Sequence, residues 1–336
     1  MNAPIVHIGY HKTATSWFQG SFYPKVKNAA YLERKRVREA FLNPTAFRFD
    51  AEWARTVLET DGRPILCEED LCGHFENGGM LEALSKDVAY RIHRVFPDAQ
   101  IVIFVRNQPD MIRASFLQYR RSGGTKSLKR FLFPYENERW LRGKRFKKPL
   151  LTLDHFAYQH LVAHYQAVFG AENVHVYCYE EFRADPKAFA DRFRERFNLS
   201  VDLDEVDFRP RNDAFGRVSL RLARWLSPFT RWDSPERPQF LPVLPKKVTK
   251  TFLTAFNRTP LAGRSYSNRS LFGERLYREL NDRFVDDNQV LARITGLPLA
   301  QYGYPMSSMK GGSEPKESFR HPATEASDSS PPTMSK

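Results

Sequence analysis

Short apolar runs recur along the first 180 residues of the chain, and each is followed by polar residues. A continuous apolar run predicts a strand that is buried on both faces, as in a parallel sheet. Between the runs, apolar residues recur at the three- and four-residue spacing of helices, so strands and helices alternate. We therefore predict an α/β fold in which helices flank both faces of a parallel central sheet. The predicted strands lie at 5–8, 64–67, 99–105 and 173–180, and the predicted helices at 16–27, 80–95, 151–170, 182–197 and 271–294.

Length and composition predict one large domain. With 336 residues, of which 41% are hydrophobic, the chain can bury a sizeable core. We expect the domain to cover 1–306, with a basic insertion at 120–148 and a Pro- and Arg-rich helical segment at 207–270. Residues 307–336 contain eight Ser, four Pro and one aromatic residue, a composition that predicts a disordered tail.

The sequence also limits where we expect the protein to work. It contains no run of 18 apolar residues and no signal-peptide pattern, so we predict neither a transmembrane helix nor export. Its three cysteines lack metal-ligand spacing and are typical of a reduced compartment. We predict a cytoplasmic protein, and a peripheral contact with the inner face of the membrane stays open. The sequence does not predict an oligomeric state.

The positive charge is concentrated in two stretches. The net charge is +13; residues 120–148 contain eleven basic and two acidic residues, and residues 209–250 contain ten basic and three acidic residues. Such stretches favour an anionic cofactor, an anionic glycan or a membrane surface as the partner. We predict no nucleic-acid partner, because zinc-finger spacing, an RNA-recognition signature and a basic zipper are all missing. We interpret 120–148 as a mobile loop or lid near the site; a solvated basic loop is the alternative.

A basic amphipathic pattern covers residues 216–232. Apolar residues form one stripe, and arginines lie off it. We expect the stripe to pack on its own domain, and contact with anionic lipid headgroups is the alternative. The apolar stripe consists of Val218, Leu222, Trp225, Leu226 and Phe229, and the arginines are Arg217, Arg221, Arg224 and Arg231.

The stretch 4–19 combines a predicted strand, a polar turn and the start of a predicted helix. A helix N-terminus offers unpaired N–H groups and partial positive charge, and a lysine with several hydroxyl groups beside it makes a phosphate site. A helix N-cap by Thr13 or Thr15, with Lys12 exposed, is the simpler alternative. The residues that we expect to contact the phosphate are His11, Lys12, Thr13, Ala14, Thr15, Ser16 and Trp17.

Two further strand ends carry groups suited to the same edge of the sheet. Glu68 and Glu69 follow the second predicted strand, where a parallel sheet binds its ligands. Arg106 ends the third strand, and Ser115 lies on the helix after it. A guanidinium group binds phosphate through bidentate hydrogen bonds, and a hydroxyl group adds a directed donor. The chemistry of Arg106 and Ser115 therefore suits a phosphate group.

These motifs resemble those of the sulfotransferases that use PAPS (3′-phosphoadenosine 5′-phosphosulfate), in particular the bacterial, carbohydrate-type branch. The string H-I-G-Y-H-K-T-A-T-S-W is similar to their 5′-phosphosulfate loop, and I-V-I-F-V-R-N-Q-P-D-M-I-R-A-S to the signature that grips the 3′-phosphate. The segment I-L-C-E-E-D-L resembles the one that holds the family's proposed base. Further similarity, F-G-A-E-N-V-H-V-Y-C-Y-E-E-F, extends the resemblance to about residue 200.

The resemblance implies a P-loop-like fold and transfer of a sulfuryl group from PAPS to a hydroxyl or amine of an acceptor. A saccharide or glycolipid is the acceptor class that it suggests. It implies that Lys12 neutralises the leaving phosphate, that Arg106 and Ser115 hold the 3′-phosphate, and that Glu69 is the base. Cys67 and Glu68 stand where the family usually has serine, so Glu68 stays an alternative base. We predict no metal.

Two other functions stay open. Lys12-Thr13 and the acids after Cys67 also suit a kinase or another NTP-dependent phosphotransferase. However, His11 replaces the glycine that such a loop has before its lysine, and an arginine ends the third strand. The basic stretches alone would suit a non-catalytic protein that binds an anionic glycan or a membrane.

Overall fold

The apolar runs form the parallel sheet that the sequence predicts. The structure is a computed structural model, and it describes residues 3–209, 215–232, 237 and 240–307. Five strands pair in parallel in the order β2-β3-β1-β4-β5, so β1 is central. The sequence did not predict β2, which has only two residues. The strands are β1 (Ile5–Gly9), β2 (Ala30–Tyr31), β3 (Pro64–Cys67), β4 (Gln100–Val105) and β5 (Val174–Cys178).

Each face of the sheet is covered by its own hydrophobic core. Ile5 and Val102 contribute to one core, and their neighbours Val6 and Ile103 contribute to the other. Successive strand residues point to opposite faces, and this is why the runs are apolar throughout. The predicted fold class, a parallel central sheet with helices on both faces, is confirmed.

Helices connect the strands and continue after the last strand. The predicted helix at 271–294 is divided at Phe284, and the helix predicted at 16–27 begins with one α-helical turn that widens over Phe18–Phe22. A two-stranded ladder, β6 (Thr230–Arg231) and β7 (Leu244–Pro245), lies apart from the main sheet. The helices are α1 (Thr15–Trp17), α2 (Arg34–Phe41), α3 (Ala51–Leu58), α4 (Gly78–Leu81), α5 (Ala83–Val95), α6 (Gln108–Arg121), α7 (Leu128–Leu132), α8 (Pro134–Asn137), α9 (Tyr158–Phe169), α10 (Tyr179–Ala184), α11 (Pro186–Arg196), α12 (Arg217–Leu226), α13 (Lys246–Asn257), α14 (Asn268–Arg283) and α15 (Val285–Thr295).

The basic insertion 120–148 contains the short helices α7 and α8 and has a small core of its own. Tyr135, Leu141 and Leu150 are buried together, and the Tyr135 hydroxyl donates to Lys148 O at 2.9 Å. The sequence suggested a loop because these apolar residues have irregular spacing. A role for this segment near the site stays a prediction.

The apolar stripe of 216–232 packs on the domain only in part. Leu222 and Leu226 pack against a small core, whereas Val218, Trp225 and Phe229 are exposed. The prediction holds for only part of the stripe because α12 has apolar residues on two faces, and spacing alone does not say which face meets the core.

The described residues up to Met306 form one compact unit. The division into one domain and a disordered tail stays a prediction, because residues 308–336 lie outside the described residues. Among the helices that the structure describes, none is long and apolar enough to cross a membrane.

Two buried histidines make the stability of the fold depend on pH. Burial lowers the pKa of both His7 and His155 to about 3, so they stay neutral in the folded protein. The unfolded chain takes up these protons below about pH 6.5, so the free energy of unfolding falls as the pH is lowered from there. Each histidine should remove about 1.4 kcal/mol per pH unit between pH 6 and 4. Denaturant titrations should show a shallower pH slope in His7→Gln than in the parent protein; equal slopes would contradict the assignment.

Candidate active site

The loop after β1 has a backbone built around left-handed residues. Lys12 (φ 65°) and Ala14 (φ 70°) have positive φ angles, which cost non-glycine residues about 1–3 kcal/mol each and persist where the surroundings impose them. The Thr13 hydroxyl donates to Tyr10 O, and Arg106 Nη1 donates to Lys12 O at 3.0 Å. In the described part of the chain, the backbone N–H groups of residues 12–16 have no acceptor. The loop therefore offers a set of donors suited to an anion.

Positive charges surround this loop. Burial lowers the pKa of Lys12 to about 8, and the charges of Arg121 and Arg106 contribute, while Glu69 opposes them. Keeping Lys12 charged in this buried position costs free energy, and a bound anion would offset that cost. The lowered pKa thus marks the loop as a site for a negatively charged group.

The other loop residues differ in what they can offer. Thr13 and Thr15 are buried and Ser16 is exposed. The indole N–H of Trp17 donates to Asp207 O at 2.8 Å, and its backbone N–H donates to Ala14 O at 2.8 Å. Since both polar groups of Trp17 are used within the protein, its ring is left with apolar contacts only.

Arg106 and Ser115 both have a buried polar group without a partner. The Arg106 guanidinium lies over the Tyr179 ring at 4.7 Å, and the Tyr158 hydroxyl donates to Arg106 O at 2.7 Å. The Nε of Arg106 nevertheless has no acceptor among the described residues. Ser115 is 1% exposed, and its Oγ has no partner among the described residues. A buried unsatisfied polar group costs about 1–3 kcal/mol, so both positions suit an anionic ligand. Arg106 also donates a hydrogen bond to the loop at Lys12 O. Among the described residues, the Ser115 hydroxyl makes no hydrogen bond to the loop or to Arg106.

The carboxylates after β3 have different partners. Glu68 is fully buried, and both of its oxygens bind Arg34 and Arg38, at 2.7–3.2 Å. The Glu69 side chain is 14% exposed and accepts hydrogen bonds from Gln19 and Arg34, both at 2.8 Å. Glu69 is also the carboxylate whose charge acts on Lys12. Glu68 is thus anchored by two arginines, and Glu69 faces the loop.

His11 points away from the loop towards Asp70. His11 Nε2 lies 3.0 Å from Asp70 Oδ1, and Arg38 binds Asp70 Oδ2 at 2.8 Å. Burial alone would raise the pKa of Asp70, but His11, His74 and Arg38 outweigh it and lower the pKa to about 2. The ligand atoms of His11, Asp70 and His74 lie within 4.8 Å of one another, so these three residues could hold a cation. The cation would have to compete with the contacts from His11 and Arg38, and the absence of a metal stays a prediction.

Sequence reasoning missed the groups that position the carboxylates. Arg34 and Arg38 are four residues apart on α2, so they lie on one face of that helix and reach the same acids. The four-residue spacing of Arg34 and Arg38 can be read from the sequence, but nothing in the sequence links these two residues to a strand end about 30 residues away. Gln19 and Arg121 were missed for the same reason.

Comparisons with known proteins point to one family. The model of the sulfotransferase family matches residues 28–203, a range that includes Glu69, Arg106 and Ser115 and begins after the 4–19 stretch. Among solved structures, the chain resembles a sulfotransferase from Alicyclobacillus acidocaldarius (19% identity, 68% of this chain and 92% of the other, TM-score 0.43). It also resembles mouse sulfotransferase SULT7A1 complexed with PAP (14% identity, 90% of each chain, TM-score 0.44). Curated proteins gave no match. Because the family model covers just over half of the chain, the protein belongs to the sulfotransferase family.

Proposed function

We propose that the protein transfers a sulfuryl group from PAPS to a hydroxyl or amine of an acceptor. The observation that carries the proposal is the pairing of two anion sites at neighbouring strand ends. The loop after β1 supplies unpaired N–H groups and Lys12, and the end of β4 supplies Arg106, whose buried Nε lacks an acceptor. Ser115 adds a second buried donor. PAPS carries phosphate groups at both of the corresponding positions.

Each residue has a defined part in the proposed reaction. The acceptor oxygen attacks sulfur, the bond between sulfur and the bridging oxygen breaks, and the acceptor proton passes to Glu69. Lys12 neutralises the charge that grows on the leaving phosphate oxygen. Glu69 is better suited than Glu68 to act as the base, because Glu68 is fully buried between two arginines, whereas Glu69 is partly exposed, is bound by one arginine and acts on Lys12.

Loop donors would hold the 5′-phosphate. The N–H groups of residues 12–16 are available, and so are the hydroxyls of Thr15 and Ser16, whereas the Thr13 proton is donated to Tyr10 O. His11 would act through Asp70 to shape the loop. Ala14 contributes through its left-handed backbone, and Trp17 through apolar contact.

A saccharide or glycolipid hydroxyl is the acceptor that we propose. Membership of the sulfotransferase family argues against a kinase and against a purely non-catalytic binder. The peripheral membrane contact through 216–232 also stays a proposal, and the exposure of Trp225 on that segment supports it.

The test is a thermal-shift titration with adenosine 3′,5′-bisphosphate, run beside 5′-AMP, ADP and ATP with Mg²⁺. At 100 times its dissociation constant, a ligand stabilises the fold by about 2.7 kcal/mol, which is a shift of several degrees. We expect the bisphosphate to stabilise the protein more than 5′-AMP or ADP does.

Ser115→Ala and Arg106→Met should each remove most of this preference for the bisphosphate. The exposed Arg142→Met is the matched control and should retain it. Stabilisation by ATP with Mg²⁺ alone would contradict the proposal and support a kinase.

A further inference from the structure

Exposed apolar side chains are concentrated in one segment of the chain. Of the fifteen large apolar side chains that are exposed in the described chain, nine lie between residues 218 and 261. Single exposed apolar residues are normal, but a dense group marks an interaction surface. Trp225 is 76% exposed and Phe240 is 87% exposed. We call this group the apolar face; it consists of Val218, Trp225, Phe229, Phe240, Leu241, Val243, Val248, Phe252 and Leu261.

The apolar face is carried by elements that pack on one another. Helices α12 and α13 share a small core that includes Leu220, Ala223 and Leu253. The N–H groups of Phe240 and Leu241 both donate to Pro228 O, which places them beside the end of α12. The face is therefore built on a packed helical pair.

A basic cavity opens beside this face. About 200 Å³ in volume, it lies between α6, α12 and the start of α14, and four arginines line it. Its remaining walls are apolar or carry hydroxyl groups, and no carboxylate is among the described residues that line it. Burial and the nearby charge of Arg224 lower the pKa of Arg120, which shows that these cations are crowded. The four arginines are Arg120, Arg217, Arg221 and Arg224.

The surroundings of the cavity are basic as well. Residues 215–264 contain ten Lys or Arg and two acidic residues, Asp233 and Glu236. A lipid bilayer presents phosphate groups above a hydrocarbon layer. Exposed apolar side chains next to a set of cations are complementary to such a surface. Nucleic acid would satisfy the cations but leave Trp225 and Phe240 in water.

We propose that the apolar face docks on a bilayer of anionic phospholipid and that the four-arginine cavity takes a lipid phosphate headgroup. The apolar face then enters the boundary between headgroups and acyl chains, and the arginine stems lie along it. The inference rests on the proposed membrane contact and is independent of the sulfotransfer step. It extends that contact beyond 216–232 to α13 and to Arg120 on α6.

The test is a vesicle flotation assay with the full chain. One set of vesicles contains phosphatidylcholine alone, and the other contains phosphatidylcholine with 30% phosphatidylglycerol. We expect binding to the second set that weakens at high salt, because exposed charges are screened. The double variant Arg221→Gln/Arg224→Gln should bind the anionic vesicles at least tenfold more weakly, and Trp225→Ser with Phe240→Ser should lose binding.

Matched controls come from the other basic stretch. Arg142→Gln and Trp140→Ser replace exposed residues of the same types and should bind like the parent protein. Stabilisation by adenosine 3′,5′-bisphosphate, measured on every variant, reports the proposed nucleotide site separately. It should be unchanged in all of them.

The outcomes separate the parts of the proposal. Absence of binding to anionic vesicles overturns both the docking face and the headgroup cavity. Binding that needs Trp225 but not Arg221 and Arg224 overturns the cavity assignment alone. A dimer in analytical ultracentrifugation that Trp225→Ser dissociates would assign the face to a second copy of the chain and overturn the membrane assignment.

Discussion

Lys12→Met should lower turnover by about 10²–10³-fold and raise the melting temperature at pH 7. The first effect follows from the loss of a cation at the leaving oxygen. The second follows from the lowered pKa of Lys12, about 8, which shows that the fold holds this charge at a cost. Removing the charge while keeping the length of the side chain should stabilise the fold by about 1–3 kcal/mol.

The size of this stabilisation depends on pH. In the parent protein, the folded state binds fewer protons than the unfolded state between about pH 8 and the ordinary lysine pKa, so stability rises with pH across that window. The stabilisation by Lys12→Met is therefore largest below pH 8 and disappears above about pH 10.5.

Melting curves at pH 7 and pH 10, together with single-turnover rates, check both effects. The exposed Lys25→Met is the control and should change neither. Unchanged turnover in Lys12→Met would remove Lys12 from the mechanism, and a lower melting temperature at pH 7 would contradict the proposed origin of its pKa.

Glu68→Gln and Glu69→Gln, although adjacent, should have opposite consequences. Glu68→Gln leaves Arg34 and Arg38 facing a buried neutral amide. Both arginines are partly exposed and keep Glu69 and Asp70 as partners, so the cost should be about 1–3 kcal/mol, less than that of leaving a buried charge unpaired. Glu69→Gln keeps the size of the side chain but can accept only one of the two hydrogen bonds from Gln19 and Arg34. It removes the proposed base, which should lower turnover by about 10²–10⁴-fold, and it should cost less stability than Glu68→Gln.

Denaturant unfolding and turnover, measured on both variants, check this pair of predictions. Glu172→Gln, at an exposed position, provides the control. A large loss of turnover in Glu68→Gln at a temperature where it stays folded, with Glu69→Gln active, would exchange the two assignments.

The sequence predicted the sheet well because the strands are buried on both faces. In β4, every residue from Ile101 to Val105 is buried, so its composition alone identifies it. The two-residue strand β2 has no such signal. The helix predicted at 271–294 is divided at Phe284 in the structure. The sequence did not reveal this break, because an interruption of one residue leaves the apolar spacing almost unchanged.

The candidate site could be predicted only where its parts are local in sequence. Lys12, Glu69 and Arg106 each lie within a few residues after the end of a strand. Parallel strands bring such residues together at the carboxyl-terminal edge of the sheet. The partners of Glu68 come from α2, about 30 residues earlier, and only the fold shows that they reach it. The outward direction of Trp225 was equally hidden, since it depends on which side of α12 meets α6.

The register of β1 against β4 affects the distance between the two proposed anion sites, and therefore the length of a ligand that can reach both. These strands are neighbours, with Ile5 opposite Gln100 and His7 opposite Val102, and their register shifts between His7 and Gly9, just before the loop. The strand spacing of about 4.8 Å and this shift together set where the loop lies relative to Arg106. A shift of β4 by one residue would turn the side chain of Arg106 to the other face of the sheet. For the proposed nucleotide, the distance between the two anion sites would therefore depend on the pairing of these strands, and changes in the loop side chains would alter affinity more than that distance.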